Sequence, residues 1–496
     1  MKKKIAVLSM VGLFFTLSCN DDFLTEGNPT AASVGNSFTT EAEADQAVIA
    51  AYAALQANDM YGREYWWLFD LLSDELMSGG AILEARRSVI MDYNFDASNE
   101  LVNTVWKGIY RVIHRSNLAI NTLPDKEELD EELVDKLTAE ARFLRGWMYF
   151  DLVSLWGNVP FTNKPLNEIV GISKPESADV IYQQILSDLD SAITFLPPKS
   201  EDPSGRATSG AAHAMKARVL LFQGRYEEAR PHLEAVINSG EYALVDEYVA
   251  NHREENELNA ESIFEVQFSS AAGQSDGWSG NGDGLKEVSI RGQEYSPVDW
   301  HNTVPSPEYI AAHEEGDPRL DYNTLEYGEM YNNGTLEFTA ASIKQGTTER
   351  TIHWLKYTNL YKKDIENLWS GINMRVLRYA DVLLMMAEVE LEAGNVPQAV
   401  SLVNQVRQRP SVNLAPIATT NPSEVFDAIV QERRVELVAE QIRYRDVRRW
   451  LNNGKLTENP IAADVDIPSR YDLLPIPQAE IDNNPELTQA DQNPGY

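Results

Sequence analysis

Residues 139–160, AEARFLRGWMYFDLVSLWGNVP, decide the fold of this 496-residue chain. Read with the helical period, the stretch places Phe143, Trp147 and Phe150 on one face and further apolar residues on the adjoining face. Such wide apolar coverage predicts a helix packed on nearly all sides, rather than a surface helix with one buried stripe. Gly157, with a proline three residues later, predicts the end of the helix. Trp147 and Phe150 are therefore expected to be packing residues.

Other segments with the helical period surround this central one. Helices are predicted over residues 41–55, 65–76, 101–123, 179–196, 377–393, 397–408 and 423–451. Thr40 and Glu43 form a capping-box pattern at the start of the first of these helices. Short connections between helices favour antiparallel neighbours, so the chain is predicted to be all-α.

An internal repeat predicts how these helices are arranged. The form A-x6-G-x4-A occurs at Ala217, with GRYEEA at 224–229, and again at Ala387, with GNVPQA at 394–399. Its spacing matches the small-residue positions of a tetratricopeptide helix pair, where Ala and Gly let two helices approach closely. Together with the other helix pairs, the repeat predicts a tetratricopeptide-like scaffold of about four stacked units.

The helical period fails over residues 241–373, so the chain divides into helical parts at 19–240 and 374–496 with an insert between them. These three segments are expected to form one compact unit. Residues 262–269 alternate between apolar and polar as a strand does. The long irregular stretches of the insert favour a loop-rich, partly β region that carries the ligand site, because long loops in compact proteins are usually functional or disordered.

Three aromatic residues of the insert are the candidate ligand-binding residues: Trp278, Tyr295 and Trp300. Trp278 lies in a stretch composed almost entirely of Gly, Ser, Ala, Asp and Asn, and no apolar neighbour in sequence is available to bury it. Tyr295 and Trp300 lie in a segment with no clear period. For these two residues the alternative is that they pin the loop to the scaffold.

The predicted C-terminal helix is highly charged over residues 432–450, ERRVELVAEQIRYRDVRRW. One interpretation is a phosphate or polyanion site. The favoured interpretation is a helix at a packed seam that is stabilised by ion pairs three residues apart, namely Arg433–Glu436, Glu440–Arg443 and Arg443–Asp446. The segment after residue 452 is rich in proline and is expected to wrap over the scaffold in an extended conformation.

The first 19 residues predict export and lipidation. Three lysines at positions 2–4 precede an apolar run over residues 5–17, which is too short to span a bilayer but fits the apolar part of a signal peptide. Cys19, the only cysteine, follows directly after a small residue. Residues 1–18 are therefore predicted to be a lipoprotein signal peptide, with Cys19 as the acylated N-terminus of the mature chain, which can form no internal disulfide.

Charge excludes two classes of partner. The chain has 42 Lys and Arg against 76 Asp and Glu, a formal net charge of −34. Binding to nucleic acid or to an anionic membrane requires a basic surface, and this chain would be repelled by both. The acidic balance also favours neutral or cationic ligands over polyanions.

No catalytic or metal-binding motif emerges. The sequence contains no H-E-x-x-H pair, no G-x-S-x-G elbow and no phosphate-binding loop. The fragment NGDG at 281–284 has some likeness to a calcium loop but lacks the other ligands, so neither a metal nor a cofactor is predicted. With 76 acidic residues, a pair of carboxylates at glycosidase distance stays open.

Several segments, in the same order, resemble the SusD/RagB family of bacterial surface lipoproteins. In addition to residues 139–160 and 432–450, the resemblance is carried by DLDSAITFLPP (188–198), GRATSGAAHAMKARVLLFQGRYEEA (205–229), ESIFEVQF (261–268), GDPRL (316–320), MRVLRYADVLLMMAEVELEAGN (374–395), VNQVRQR (403–409) and LLPIPQAEIDNNPELTQADQNPGY (473–496). The acidic pair at 21–22, just after Cys19, resembles the export signal of surface lipoproteins in Bacteroidetes.

The resemblance implies a non-catalytic protein at the outer-membrane surface that captures glycans, or sometimes peptides, for a SusC-like TonB-dependent transporter. By family position, Asp74 is a further candidate for ligand binding. Two alternatives stay open: a surface glycan hydrolase, and a tetratricopeptide lipoprotein that binds only peptides or proteins.

Overall fold

The computed structural model describes residues 37–80, 82–165, 171–270, 288–461 and 472–496. Cys19, Trp278 and the calcium-like residues 281–284 lie outside these ranges. The helices before the insert are α1 (Glu41–Leu55), α2 (Glu64–Leu71), α3 (Ala85–Met91), α4 (Glu100–Thr122), α5 (Glu131–Trp156), α6 (Ala178–Phe195), α7 (Ser209–Phe222) and α8 (Tyr226–Asn238). The predicted helices of this part are confirmed, although α2 ends earlier and α5 begins earlier than predicted.

Helix α5 lies at the centre of the scaffold, as its sequence predicts. It packs against α1, α4 and α6, and Trp147 and Phe150 are each only 1% exposed. The ring of Trp147 lies edge-on to that of Phe264, with the centroids 5.7 Å apart, so a residue of the insert completes the core around α5. Gly157 caps the helix with a φ of 72°, a conformation that glycine adopts without steric cost.

The internal repeat corresponds to two helix pairs that lie side by side. The first pair is α7 with α8, and the second is α12 (Tyr379–Glu392) with α13 (Val396–Arg407). Ala217 and Ala387 are fully buried at the equivalent positions. Gly224 and Gly394 turn the chain between the two helices of each pair with φ values of 70° and 78°. Since α8 also packs against α12, the two pairs stack as tetratricopeptide units do.

The insert is partly β, as predicted. Its strands are β2 (Ser262–Val266), β3 (Thr303–Pro305), β4 (Thr324–Glu326), β5 (Met330–Tyr331), β6 (Leu336–Glu337) and β7 (Ile352–Trp354), and they are joined by β1 (Leu76–Ser78) from the N-terminal part and β8 (Met374–Arg378) from the C-terminal part. In the described ranges they form four antiparallel pairs, β1–β3, β2–β8, β4–β7 and β5–β6. All five residues of β2 are buried, so this strand runs through the core rather than along the surface.

Short helices connect the strands of the insert and tie it to the scaffold. They are α9 (Arg291–Tyr295), α10 (Pro307–Ala311) and α11 (Arg319–Asn323). Glu294 of α9 accepts a hydrogen bond of 2.6 Å from Nε of Arg63, at the start of α2. Both side chains are almost completely buried. The insert is therefore fixed to the N-terminal helices.

The prediction of one long C-terminal helix over residues 423–451 is wrong. The structure has two helices, α14 (Pro422–Glu436) and α15 (Arg443–Asn452). Between them, Ala439 and Gln441 adopt φ values of 58° and 61°, which no helix continues. The carbonyl oxygen of Ala439 accepts a 2.7 Å hydrogen bond from Nη2 of Arg291, and Nε2 of Gln441 donates to Oδ1 of Asp70. Contacts with the insert and with α2 therefore hold the break.

The three ion pairs predicted within that helix are also wrong in their partners, although the packed seam is present. Every one of these charges is buried and pairs with another element. Arg443 pairs with Asp74, Arg433 with Asp381 and Asp446, Glu440 with Lys356 and Arg378, and Glu436 with Arg319, Arg378 and Arg409.

The C-terminal tail crosses the end of α5 and contains the short helix α16 (Gln478–Asn483). Nε1 of Trp156 donates a 2.9 Å hydrogen bond to the carbonyl of Pro475. In return, Nδ2 of Asn493 donates to the carbonyl of Trp156. The tail is thus part of the folded unit. Across the described ranges, no helix has the length and apolar character needed to cross a membrane.

Candidate functional site

The exposure of the tryptophans points to a binding surface. Seven of the ten tryptophans are at most 2% exposed: Trp66, Trp67, Trp106, Trp147, Trp156, Trp354 and Trp450. Trp300 and Trp369 are the two in the described part of the chain that keep a partly exposed side chain, and both belong to the insert. Because large apolar rings are seldom left in water without a reason, partly exposed tryptophans on neighbouring loops mark a candidate ligand surface.

Hydrogen bonds hold the two tryptophan-bearing loops side by side. The backbone N–H of Glu366 donates to Oδ2 of Asp299, the residue before Trp300, at 2.8 Å. Ser289 and Ser370, the residue after Trp369, exchange two backbone hydrogen bonds of 2.9 Å. We call the exposed surface of these two joined loops, which carry Trp300 and Trp369, the tryptophan face.

Hydrogen bonds to polar groups hold the backbone of Trp300 and Trp369 in place. The N–H of Trp300 donates to the carbonyl of Gln293 at 3.2 Å, and the N–H of Trp369 donates to Oδ1 of Asn367 at 2.9 Å. The side chains of Gln293 and Asn367 are themselves partly exposed. An apolar wall with a few polar groups at its edge is the usual composition of a small-molecule site.

Two buried carboxyl groups lie beneath the tryptophan face. Glu366 is 2% exposed and Asp299 is 7% exposed. Burial raises the pKa of Glu366 to about 7, and burial likewise raises the pKa of Asp299 above its ordinary value. Both groups are therefore supports for the loops rather than hydrogen-bonding groups on the surface, and Glu366 changes its charge near neutral pH.

Tyr295 does not fit its predicted role as an exposed aromatic platform. It is 1% exposed, and its ring lies edge-on to those of Trp66 and Trp67 at centroid distances of 5.3 and 5.4 Å. Its hydroxyl donates a 2.6 Å hydrogen bond to Oδ2 of Asp70. Since α9 docks on α2 through these contacts, Tyr295 pins the insert to the scaffold, which is the alternative that the sequence left open.

Asp74, the candidate drawn from family position, lies in an ion-pair clamp. Its carboxylate pairs with Nε of Arg443 at 2.8 Å and with Nη2 of Arg434 at 2.9 Å, and its side chain is 9% exposed. Burial alone would raise the pKa of Asp74, but the hydrogen bond and charge of Arg443 bring it below the ordinary value. This placement gives Asp74 a structural role, because both of its carboxylate oxygens are engaged by arginines.

Trp369 was not predicted from the sequence, although a signal exists. It stands in the segment ENLWSGIN at 366–373, which has no helical or strand period. The lack of a period that drew attention to the segment of Tyr295 and Trp300 applies equally well to it. Trp278 stays a prediction, because it lies outside the described residues.

The described ranges contain no group of three or more His, Cys, Asp or Glu side chains placed to hold a metal ion.

Known protein families match nearly the whole chain. The model of the SusD family matches residues 260–496. A SusD-like model described as starch-binding and associating with the outer membrane matches residues 22–221. A tetratricopeptide-repeat model matches residues 210–235, which correspond to α7 and α8.

Individual proteins agree with these matches. SusD-like protein P25 from Formosa agariphila is 25% identical over the full length of both chains. A solved structure of a laminarin-binding SusD-like protein is 26% identical and covers 92% of this chain and 100% of its own, with a TM-score of 0.77. Surface glycan-binding protein A from Bacteroides fluxus is 27% identical with the same coverages and a TM-score of 0.75. With both SusD models matched and the helical architecture shared with these structures, this chain belongs to the SusD/RagB family.

Proposed function

We propose that this protein captures an oligosaccharide or polysaccharide at the outer-membrane surface without cleaving it, and that the tryptophan face is its binding site. The observation that carries this proposal is the partial exposure of Trp300 and Trp369 on joined loops, while the other described tryptophans are buried. The glycan-binding names of two structural relatives support the class of ligand.

The chemistry of the face suits a neutral glycan. Sugars present apolar C–H faces that stack on indole rings, and their hydroxyl groups meet polar side chains such as Gln293 and Asn367 at the edge. The net charge of −34 would repel a strongly anionic polymer at low ionic strength. A neutral glycan is therefore the favoured ligand.

A binding screen of the mature protein tests this proposal. Laminarin and starch are the first probes, followed by other neutral polysaccharides, charged polysaccharides and a peptide pool. We expect at least one neutral glycan to bind, with no release of new reducing ends during prolonged incubation. Release of reducing ends would favour the surface hydrolase, and binding of peptides alone would favour the peptide- or protein-binding lipoprotein.

Anchoring through Cys19 is the second part of the proposal. Mass spectrometry of the native N-terminus is expected to show a diacylglyceryl group on Cys19, because two or more acyl chains give a stable anchor where a single chain does not. Cys19→Ala should leave the membrane fraction or stay unprocessed. Normal outer-membrane retention of Cys19→Ala would contradict this assignment.

Delivery to a SusC-like TonB-dependent transporter completes the proposal. A surface binder needs a separate pore to bring its ligand into the cell, and the family resemblance supports this partner. Affinity purification from detergent-solubilised membranes should recover a large β-barrel protein together with this chain. Repeated recovery of the lipoprotein alone would count against the partnership.

A further inference from the structure

Two buried histidines contact each other, and one of them is the chain neighbour of Trp300. His301 follows Trp300 in the chain and His353 lies on β7, and neither side chain is exposed. Nε2 of His301 and Nδ1 of His353 are 2.9 Å apart. Nδ1 of His301 lies 2.9 Å from the carbonyl oxygen of Gln345, and Nε2 of His353 lies 3.0 Å from that of Arg350. The two rings thus link both ends of the loop 345–350.

The number of protons on the two imidazole rings decides how many of these three contacts can be hydrogen bonds. A neutral imidazole has one N–H donor and one acceptor nitrogen, and a carbonyl oxygen can only accept. If both outer nitrogens donate to their carbonyls, the two inner nitrogens face each other with lone pairs and no proton. A neutral pair can therefore make only two of the three hydrogen bonds. One extra proton between the inner nitrogens would complete all three, but it would place a positive charge in a buried site, which is unfavourable.

The backbone couples this pair to Trp300. His301 adopts a φ of 51°, which residues other than glycine rarely do, and its N–H donates to the carbonyl of Ser296 at 3.1 Å. Its carbonyl oxygen approaches Gly79 so closely that a Cβ on Gly79 would lie 2.0 Å from it, so the backbone of His301 packs directly on that of Gly79. We expect a movement of the His301 ring to be passed along this constrained backbone to Trp300.

We propose that the His301–His353 pair is a pH-sensitive positioning device for Trp300, which holds the ring and the loop 345–350 firmly while the pair is neutral and loosens them when the pair takes up a proton. The inference rests on the proposed function, because Trp300 is the ring that would stack on the glycan. It assigns both histidines a positioning role and no contact with the ligand.

The groups around the two histidines determine the pH at which the pair takes up a proton. Burial lowers the pKa of both histidines below their ordinary value of about 6.5, so the extra proton is taken up only in acid. Two side chains pack on the His353 ring, with centroid distances of 5.6 Å for Tyr327 and 5.1 Å for Phe338. Burial raises the pKa of Tyr327, so it stays neutral in acid, and Phe338 carries no charge. Within the described ranges, no carboxylate makes an ion pair or hydrogen bond with either histidine.

The effect of protonating the histidine pair must be distinguished from the effect of protonating two nearby carboxyl groups. Asp299 precedes Trp300 in the chain and accepts a hydrogen bond from the N–H of Glu366, and burial raises the pKa of both carboxyl groups. Their titration could move the same ring. Glu366→Gln removes the carboxyl that changes charge near neutral pH and leaves the histidines in place.

The test follows Trp300 itself, without a ligand. The chain is labelled with 5-fluorotryptophan, the Trp300 signal is assigned by its loss in Trp300→Phe, and fluorine NMR spectra are recorded from pH 7.5 to pH 4.5. The wild type and Glu366→Gln should both show a shift of the Trp300 signal below pH 6.5, and His353→Gln should not. A matched control is His213→Gln, which removes one ring of the other histidine pair, where two Nδ1 atoms lie 2.9 Å apart on α7 and α8. It should keep the shift.

Two results would overturn the proposal: a Trp300 signal that is constant over this range in the folded wild type, or a shift that survives His353→Gln and disappears in Glu366→Gln. If His353→Gln does not fold, the ring nitrogens of the wild type decide instead. Long-range proton–nitrogen spectra should show the pair gaining one proton below pH 6.5, and a pair that stays neutral to pH 4.5 would contradict the proposal.

Binding of laminarin and starch at pH 5.0 and pH 7.5 then tests the consequence for the site. In Glu366→Gln, affinity should be up to about tenfold lower at pH 5.0, because a buried positive charge without a counter-ion loosens the arrangement that positions Trp300. An affinity independent of pH would overturn the coupling. If neither glycan binds, the proposed function fails for these ligands, while the NMR measurements still decide the role of the histidine pair.

Discussion

Arg378→Ala should destabilise the protein by about 3–5 kcal/mol, because it removes one cation from a buried network and leaves its carboxylates without full compensation. Arg378 ends β8 and is 1% exposed. Its guanidinium pairs with Glu261, with Glu436 at 3.0 Å and with Glu440 at 2.8 Å, and each of these carboxylates is at most 5% exposed. The network joins β8 and the insert to α14 and to the break that follows it.

The charge states support this expectation. Burial alone would raise the pKa of Glu436, but Arg409, Arg378 and Arg319 lower it to about 2. A carboxylate with a lowered pKa stabilises the fold above its unfolded pKa of about 4.3, and this stabilisation is lost as the pH falls towards 2. Removing Arg378 takes away part of what keeps Glu436 ionised, so the variant should also unfold at a higher pH than the wild type.

Chemical denaturation followed by circular dichroism measures the effect. The matched control is Arg225→Ala, which breaks an exposed pair with Glu228 whose side chains are 37% and 59% accessible. Exposed pairs of this kind contribute about 0–1 kcal/mol. Equal losses of stability in Arg378→Ala and Arg225→Ala would show that the buried network does not hold the fold together.

Trp147→Ala should cost about 3–5 kcal/mol, the range observed when a large buried aromatic is truncated and leaves a cavity. Its ring has centroid distances of 5.7 Å to Phe264 of β2 and 5.8 Å to Tyr61, which precedes α2. The cavity would therefore open where the central helix, the insert and the N-terminal helices meet.

Thermal unfolding and glycan binding should be measured together for this variant. Phe195→Ala, at a ring that is 46% exposed on α6, is the control and should leave the melting temperature nearly unchanged. We expect Trp147→Ala to lower the melting temperature while any folded fraction still binds. Loss of binding at unchanged stability would place Trp147 in the ligand site and refute its role in packing.

The scaffold could be predicted because its signals are local. Thr40 does cap α1 through the predicted capping box with Glu43, and Gly224 and Gly394 occupy the turns that the repeat assigns to them. Helical periodicity, caps and small-residue spacing each depend on residues a few positions apart, so one sequence is enough to read them.

The break between α14 and α15 could not be predicted in the same way. Residues 437–442 contain no proline or glycine, and their composition suits a helix. The residues that end the helix are distant in sequence. Asp70 accepts a hydrogen bond from the side chain of Gln441, and Arg291 donates one to the carbonyl of Ala439. The ion-pair partners of this region were wrong for the same reason.

Tyr295 and Trp300 show why the candidate site, too, could be predicted only in part from the sequence. They are five residues apart in one aperiodic segment, yet Tyr295 is buried and Trp300 is partly exposed. The difference arises because Tyr295 of α9 packs against the indole rings of α2 and donates a hydrogen bond to Asp70. The sequence alone does not reveal this contact between distant segments. An aromatic residue in an aperiodic loop is therefore a candidate, and only its burial separates an anchor from a platform.

The most direct test of the binding site is isothermal titration of the glycan found in the screen against Trp300→Ala, Trp369→Ala, the double variant and Phe195→Ala. By analogy with bases stacked on aromatic rings, each single tryptophan variant should lose about 1–3 kcal/mol of binding free energy, a weakening of about 5- to 150-fold. The double variant should show no measurable binding, and Phe195→Ala should bind as the wild type does, with all four variants retaining nearly the same melting temperature. Wild-type affinity in the folded double variant would contradict the tryptophan face as the ligand site.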